Sequence, residues 1–223
     1  MSAAATAPSF VETISQLPSD SSLRMDNVSW NDYEELLADL GESYSVRVFY
    51  DQGRMEIMSP ASMHEQPKNV LHDLIVILRD ELDIDVESFG STTYKLEKKA
   101  KGAEPDDSFY IRNAAAVIGK DENLDLAFDP PPDLVVEIDR SSSSLNRFPI
   151  YAGLGVAELW RVYGRTVRIW LLKHGQYEES TNSLAFPFLT ADVLSAFVEK
   201  GATQSSKTTA QEFREWLRRN RQS

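Results

Sequence analysis

Acidic side chains lie at the ends of two apolar segments that the sequence predicts to be strands. Asp106 precedes a short strand predicted at residues 108–111, and Glu137 and Asp139 lie in the apolar segment 134–139. Because side chains alternate along a strand, Glu137 and Asp139 project from the same side of it. A carboxylate among Val and Ile residues is costly to bury unless a cation or a proton compensates it. If the two strands are neighbours, Asp106 and Glu137 form an oxygen site of the kind that Mg²⁺ or Mn²⁺ prefers.

Other kinds of active site are excluded by what the chain lacks. The sequence contains no cysteine, which rules out thiol nucleophiles, zinc–thiolate sites and iron–sulfur clusters. It contains neither a Gly-x-Ser-x-Gly nucleophile elbow nor a glycine-rich phosphate-binding loop. Three histidines leave little room for a multi-histidine metal centre. Carboxylates are therefore the candidate catalytic groups.

The elements that must position these acids follow from hydrophobic periodicity and turn residues. In the first half of the chain, apolar residues at helical spacing predict helices, and Gly53 predicts a turn between two short strands. The predicted helices span residues 30–40 and 62–82, and the predicted strands span 46–50, 55–58, 84–89, 92–96 and 108–111. Residues 98–102 and 121–132 are predicted to be loops.

In the second half of the chain, the nearly unbroken apolar segment 134–138 is typical of a strand buried on both faces. The elements predicted after it are a helix near 144–154, a hairpin over 158–163 and 166–172, an edge strand at 176–179, and helices at 190–200 and 208–219. The fold class is therefore α/β or α+β, with a mixed sheet and helices on its faces. Residues 1–28 are interpreted as a flexible arm and residues 29–223 as a single domain that includes the C-terminal helices.

The charge of the chain and its hydrophobic segments limit the partners and the cellular location that we expect. The net charge of −12, from 23 basic and 35 acidic residues, argues against a general nucleic-acid coat. Two basic clusters remain as local phosphate contacts: Lys98, Lys99 and Lys101, and Arg214, Arg218, Arg219 and Arg221. We recognise no signal peptide and no membrane-spanning segment, which predicts a cytoplasmic protein without a membrane partner.

The order and spacing of these residues resemble the PD-(D/E)XK nuclease signature, in which Pro-Asp is followed, after a variable gap, by an acid, any residue and a lysine. Asp106 follows a proline and precedes Glu137 by 31 residues. The resemblance is closest to the putative restriction endonuclease family of that superfamily, and it extends from about residue 30 to 200. The segments that carry it are Met55-Glu56-Ile57-Met58-Ser59-Pro60 with His64-Glu65, Glu104-Pro105-Asp106, Pro132-Asp133-Leu134-Val135-Val136-Glu137-Ile138, and Tyr151-Ala152-Gly153-Leu154-Gly155-Val156-Ala157-Glu158-Leu159-Trp160.

This resemblance implies a restriction endonuclease-like fold and a metal-dependent endonuclease that hydrolyses nucleic acid, with DNA as the expected substrate. It implies that Asp106 and Glu137 hold Mg²⁺ or Mn²⁺, with the carbonyl of Ile138 as a further ligand. An additional Glu completes such sites in the family. Glu56, at the end of a strand, is our choice for this ligand, and Glu65 is the alternative.

The chain departs from the family pattern at the lysine. Asp139 stands two residues after Glu137, and the resemblance assigns the catalytic lysine position on the following helix to Arg147. Because arginine stays protonated at any working pH, Arg147 can stabilise charge on a phosphate but cannot activate water as a base. Lys95, Asp139 and His64 are the expected substrate contacts.

Each acid also has an ordinary structural explanation. Asp106 fits a turn, and Asp139 fits a helix cap or a loop. Glu137 could form a structural ion pair with Arg147 or Lys95.

Glu56 also has an ordinary structural explanation, because it could form a cross-strand salt bridge with Arg47. The function and the assembly of the whole chain have alternatives as well. The chain could be a catalytically weak or inactive nuclease-fold binding module, or a hydrolase of small phosphate esters. The hairpin 158–172 carries apolar residues on both faces, which either the C-terminal helices or a second copy in a homodimer must cover.

Overall fold

The fold combines two β-sheets with helices on their faces. The computed structural model describes residues 10–41, 46–59, 65–120, 124–139 and 145–220. The helices are α1 (Phe10–Ser15), α2 (Trp30–Leu40), α3 (Glu65–Leu82), α4 (Ala114–Val117), α5 (Phe148–Leu154), α6 (Ala191–Thr203) and α7 (Ser206–Asn220). The strands are β1 (Ser22–Met25), β2 (Arg47–Asp51), β3 (Arg54–Met58), β4 (Glu87–Ser88), β5 (Tyr94–Leu96), β6 (Lys101–Ala103), β7 (Asp107–Tyr110), β8 (Leu134–Asp139), β9 (Glu158–Tyr163), β10 (Thr166–Lys173) and β11 (Gln176–Ser180). The predicted mixed α+β class is confirmed, although the strands form two sheets rather than one.

The first sheet is antiparallel, with strand order β1-β3-β2-β6-β5. Its central hairpin β2–β3 turns at Gln52 and Gly53, whose φ values of 51° and 86° match a turn that needs left-handed backbone at both central residues. The register places Phe49 directly opposite Glu56, so their side chains lie on the same face. This face is turned toward α5.

Two parts of the first sheet differ from the sequence predictions. Residues 22–25, assigned to a flexible arm, form the edge strand β1 and pair with β3. Residues 98–102, predicted to be a loop, contain part of a 3₁₀ turn (Glu97–Lys99) and most of β6, which pairs with both β2 and β5. The two strands have only four and three residues, and their hydrogen-bond partners lie far along the chain, so the local pattern gives no signal of them.

The strands predicted at 84–89 and 92–96 are shorter than expected and belong to different sheets. The first is reduced to β4, which pairs with β7 in the second sheet. The second is β5, which pairs with β6 in the first sheet. The turn between them therefore leads from one sheet to the other rather than closing a hairpin.

The second sheet has strand order β11-β10-β9-β8-β7-β4 and is mixed, because β8 and β9 run parallel while its other neighbouring strands run antiparallel. All six residues of β8 are buried, as its apolar composition predicts. Parallel strands need a crossover connection, and here the crossover contains α5. The helix after β8 is thereby held over the same sheet that carries Glu137.

The helices α3, α6 and α7 cover one face of the second sheet and form the larger core with it. Val162, Val167 and Ile169 of the β9–β10 hairpin are buried there beside Leu194 and Phe213 of the C-terminal helices. The sequence analysis expected the apolar faces of this hairpin to be covered either by the C-terminal helices or by a second copy of the chain. The face that carries these residues is covered by the C-terminal helices. None of the helices in the described part of the chain has the length and apolar character needed to cross a bilayer.

The helix α5 packs on the opposite face of the second sheet and also contacts β2, β5 and β6 of the first. Gly153 permits this close approach, since a Cβ at that position would lie 2.8 Å from Cγ of Lys101. As a result, α5 lies between the two sheets and brings Phe49 and Met58 close to the carboxyl end of β8.

Candidate active site

Asp106 and Glu137 are neighbours across two strands. The register of β7 and β8, in which Asp107 lies opposite Val136, places Asp106 opposite Glu137 on the face that α5 covers. Asp106 Oδ2 accepts a hydrogen bond of 2.8 Å from the backbone N–H of Ile138. Both side chains are buried, with the two residues 5% and 1% exposed. The structure therefore brings together the two acids on which the sequence analysis depends.

Arg147 and Tyr151 reach the carboxylate of Glu137 from α5. Residues four apart lie on one face of a helix, so Arg147, just before its first turn, and Tyr151 project together toward β8. Arg147 forms an ion pair with Oε2 of Glu137, and the Tyr151 hydroxyl donates a hydrogen bond to Oε1. The Arg147 guanidinium also lies 4.0 Å from the centre of the Phe49 ring. The structural ion pair considered for Glu137 in the sequence analysis is thus present.

Burial controls the electrostatics of this group. Burial raises the pKa of Glu137 to about 7, with Arg147 acting in the opposite direction and Asp106 adding to the rise. Burial alone would lower the pKa of Arg147, but Glu137 and Tyr151 raise it, so the guanidinium stays charged. Burial and the neighbouring Glu137 raise the pKa of Tyr151 far above its usual value, so its hydroxyl remains a donor.

Asp139 lies on the same face as Glu137 and is paired with Arg161 of β9. Arg161 donates two hydrogen bonds to it, from Nε at 2.6 Å and from Nη2 at 2.5 Å. The Arg161 guanidinium lies 4.6 Å from the ring centre of Phe148 and 5.5 Å from that of Tyr163. Asp139 is therefore held by a bidentate pair rather than acting as a helix cap.

Tyr151 and Arg161 are two residues of this group that were not among the site residues expected from sequence. A signal for Tyr151 was available, because the spacing of four residues from Arg147 places both on one side of a helix. No comparable signal exists for Arg161. Its approach to Asp139 depends on the parallel register that pairs Glu137 with Arg161, which local sequence does not reveal.

Glu56, the expected third ligand, lies on β3 on the same face as Phe49 and Met58, the two residues that contact Arg147. It is 2% exposed, and its Oε1 lies 3.7 Å from Nε of Arg24 across the β1–β3 pair. Arg24 is thus one cross-strand partner of Glu56, and the salt bridge with Arg47 stays a prediction.

Two other expected site residues fall wholly or partly outside the described structure. The backbone of Glu65 begins α3, but its side chain is not described. His64 lies outside the described residues. Their predicted roles, as the alternative metal ligand and as a substrate contact, stay predictions.

Lys95 does not lie beside these carboxylates. It pairs with Gly102, which packs on Tyr33 of α2, so Lys95 projects from the face of the first sheet that is turned away from α5. There its ammonium group lies 2.9 Å from the carboxylate of Glu34. The sequence does not reveal this because the face of a short strand depends on its register.

The basic clusters proposed as phosphate contacts are largely engaged by acids. Lys101 is buried and pairs with Asp51. Arg214 and Arg218 both lie near Glu81, at 3.7 and 3.2 Å. Arg219 pairs with Glu215, whereas Lys98 and Lys99 are exposed and Arg221 lies outside the described residues. The described C-terminal arginines therefore form ion pairs within α7 and between α7 and α3.

Asp107, next to Asp106 in sequence, points to the opposite face of the sheet and meets His72 of α3, with 2.8 Å between Oδ2 and Nδ1. The hydrogen bond to Asp107 raises the pKa of His72 above its usual value, against the opposing effect of partial burial. A raised histidine pKa stabilises the fold fully below about pH 6.5, and the contribution is lost as the pH rises through the folded-state pKa.

We therefore expect the stability difference between the wild type and Asp107→Asn to shrink as the pH rises above about 6.5 and passes through the raised pKa of His72. Urea unfolding at several pH values measures this difference, and an NMR titration of the His72 ring gives its pKa directly. A difference that stays constant, or grows with pH, would contradict the assignment.

The divalent cation that the sequence resemblance implies takes oxygen ligands. Among the described residues, no group of three or more His, Cys, Asp or Glu side chains is arranged to hold a metal ion. Asp106 and Glu137 nevertheless form a buried cross-strand pair of hard oxygen donors, and their mutual repulsion is the kind that a cation relieves. In their chemistry these two oxygen donors suit a hard cation such as Mg²⁺ or Mn²⁺, although both oxygens of Glu137 already accept hydrogen bonds from Arg147 and Tyr151.

Comparisons with known proteins give one family match and one similar crystal structure. The sequence profile of the Uma2 family, described as putative restriction endonuclease, matches residues 30–199. No curated protein sequence matches the chain. A crystal structure described as a putative nuclease belonging to DUF820 from Anabaena variabilis is similar in fold, with a TM-score of 0.47 and 18% sequence identity over 68% of this chain and 90% of that one.

Proposed function

The chain belongs to the Uma2 family of putative restriction endonucleases, and from this premise we propose that it is a metal-dependent endonuclease that hydrolyses phosphodiester bonds in DNA. The observation that carries the proposal is the buried pair of Asp106 and Glu137, placed opposite each other on β7 and β8. Burying two neighbouring carboxylates is costly unless a cation or a proton compensates their charge. Proteins therefore place such pairs mainly where the cation or the proton takes part in catalysis.

In this proposal Asp106 and Glu137 hold the divalent cation, and Glu56 contributes from the facing sheet. A bound Mg²⁺ or Mn²⁺ would supply a Lewis acid that polarises the phosphodiester and lowers the pKa of the attacking water. The backbone N–H of Ile138 fixes the orientation of Asp106 through its hydrogen bond of 2.8 Å. Tyr151 fixes the orientation of Glu137 in the same way, from the opposite side.

Arg147 is the residue in this site that can stabilise negative charge on the phosphate. Its guanidinium is permanently protonated and has the planar geometry that suits phosphate oxygens. It cannot remove a proton from water, so the base must come from another group or from the solvent. Arg161 holds Asp139 through two hydrogen bonds, which keeps that carboxylate from adding a free negative charge where the phosphate would approach.

The experiment that tests this function is cleavage of supercoiled plasmid DNA by the full-length protein with Mg²⁺ or Mn²⁺. We expect conversion to nicked and linear DNA, and we expect excess chelator to stop it. A chromogenic phosphodiester assayed in parallel separates the alternative substrate class. If the protein cleaves the small diester but leaves the plasmid intact, it is a hydrolase of small phosphate esters and the proposed endonuclease is wrong.

A second candidate is a nuclease-fold binding module without catalysis. The observation that favours it is that Arg147 and Arg161 already engage the carboxylates of Glu137 and Asp139. A module of this kind would bind nucleic acid or protein without needing a cation at Glu137. DNA binding that is unchanged by chelator, together with no cleavage of either substrate, would support this candidate over the endonuclease.

A further inference from the structure

The side chain of Arg147 already gives Glu137 a buried, positively charged partner. Both members of the pair are buried, with the side chains of Arg147 and Glu137 3% and 2% exposed. Glu137 uses one carboxylate oxygen for Arg147 and the other for the Tyr151 hydroxyl. A metal ion bound to this carboxylate would therefore lie beside a buried guanidinium, whose positive charge repels it.

The charge balance of the buried group is almost complete without a metal. Asp106, Glu137 and Asp139 contribute three carboxylates, and Arg147 and Arg161 contribute two guanidinium groups. One negative charge is left over, which is little for a divalent cation to neutralise. A neutral residue at position 147 would leave the same acids without this internal counter-charge, and a lysine would supply it through a flexible, strongly hydrated ammonium group.

Arg147 is held less completely than a structural arginine in a full network. Its Nε has no hydrogen-bond acceptor among the residues that the structure describes. Its Nη2 lies 3.5 Å from Sδ of Met58, which is a weak acceptor. Its strong contacts are the ion pair with Glu137 and the face of the Phe49 ring. Because its Nε lacks an acceptor and its Nη2 has only a weak one, the guanidinium can form further hydrogen bonds to another anion, such as a phosphate.

We propose that Arg147 is an internal cation that competes with the divalent metal ion for Glu137, so that metal binding requires Arg147 to leave this carboxylate. The proposal rests on the proposed function, because it assigns the metal to Asp106 and Glu137. It differs from that function in what it predicts: the native arginine weakens metal binding, and its removal strengthens it.

The test is calorimetric titration of the full-length protein with Mn²⁺ in the absence of DNA. At a pH high enough to keep Glu137 ionised in both proteins, Arg147→Met is expected to bind Mn²⁺ at least about fivefold more tightly than the wild type, which is the lower end of typical coupling between two ligands. Arg147→Met combined with Glu137→Gln is expected to lose this binding. The increase in melting temperature on adding Mn²⁺ provides a second readout and should follow the same order.

Arg161→Met is the matched control, because it removes the other buried guanidinium but leaves Glu137 paired with Arg147. We expect it to tighten Mn²⁺ binding less than Arg147→Met does. An equal effect of the two substitutions would overturn the proposal, since it would show a general change of charge rather than competition at one carboxylate. If Arg147→Met does not fold without metal, Arg147→Lys is the variant to measure, and it too must bind Mn²⁺ more tightly than the wild type.

The possible failures are distinguishable. If the wild type and Arg147→Met bind Mn²⁺ equally tightly, and both depend on Glu137, the competition is wrong while the proposed metal site stands. If neither protein nor Arg147→Lys shows any binding that depends on Glu137, the proposed function loses its metal site and the competition falls with it. Tighter binding by the wild type than by both variants would also overturn the proposal.

Discussion

Asp106→Asn is expected to reduce Mn²⁺-dependent cleavage of supercoiled DNA by at least about 100-fold, since even residues that only orient metal ligands cost about 10–100-fold when removed. The amide has the size of the carboxylate and its oxygen can still accept the hydrogen bond from Ile138. What it lacks is the negative charge that would hold the cation. Cleavage rates and urea unfolding of the same preparations measure the two effects separately.

The matched control for Asp106→Asn is Asp107→Asn, which makes the same change one residue further along the chain. Asp107 faces α3 and His72 on the other side of the sheet, so its loss should leave the cleavage rate unchanged within about a factor of two. Full activity in Asp106→Asn would sink the assignment of this carboxylate to the metal. Equal loss in both variants would point to a general disturbance of β7.

Glu137→Gln is expected to lower the free energy of unfolding by about 3–5 kcal/mol, the usual effect of removing one partner of a buried ion pair. The substitution leaves the buried guanidinium of Arg147 without its main counter-charge, and an arginine cannot become neutral to escape the penalty. Arg147→Met should cost less, because the carboxyl left behind can take up a proton: burial already raises the pKa of Glu137 to about 7. Urea unfolding at neutral pH without divalent ions compares the two.

The double variant Glu137→Gln with Arg147→Met completes the cycle. Replacing both members of a buried pair is often neutral or even stabilising, so we expect the double variant to recover most of the loss seen in Glu137→Gln. Additive costs of the two substitutions would mean that the pair contributes no interaction energy. In that case Arg147 would be held mainly by Phe49 and the surrounding helix packing rather than by Glu137.

These two predictions separate two carboxylates that look equivalent in the sequence. Asp106 is paired with a backbone N–H, so a neutral side chain of the same shape can replace it without leaving an unpaired charge. Glu137 carries Arg147 and Tyr151, so its loss affects three buried groups at once. Loss of cleavage with an intact fold is therefore expected for Asp106→Asn, whereas Glu137→Gln is expected to lose both cleavage and stability.

Several features of the site were predictable from local sequence. The apolar segment around Glu137 indicates a strand buried on both faces, and β8 is such a strand. Alternation along the strand places Glu137 and Asp139 on one side. The resemblance to a nuclease family, carried by short segments in a fixed order, is confirmed by the profile match over residues 30–199. These features depend on residues close together in the chain or on the order of motifs.

Only the tertiary structure decided which partners these residues meet. The parallel register of β8 and β9 brings Arg161 to Asp139, and the packing of α5 between two sheets brings Arg147 to Glu137 and Phe49. The register of the first sheet likewise turns Lys95 away from the acids and toward Glu34. Strand register and helix docking are set by contacts between segments far apart in the chain, and a shift of one residue would reverse every side chain on a strand. The acids of this protein were therefore readable in its sequence, whereas the arginines that hold them became visible only once the chain was folded.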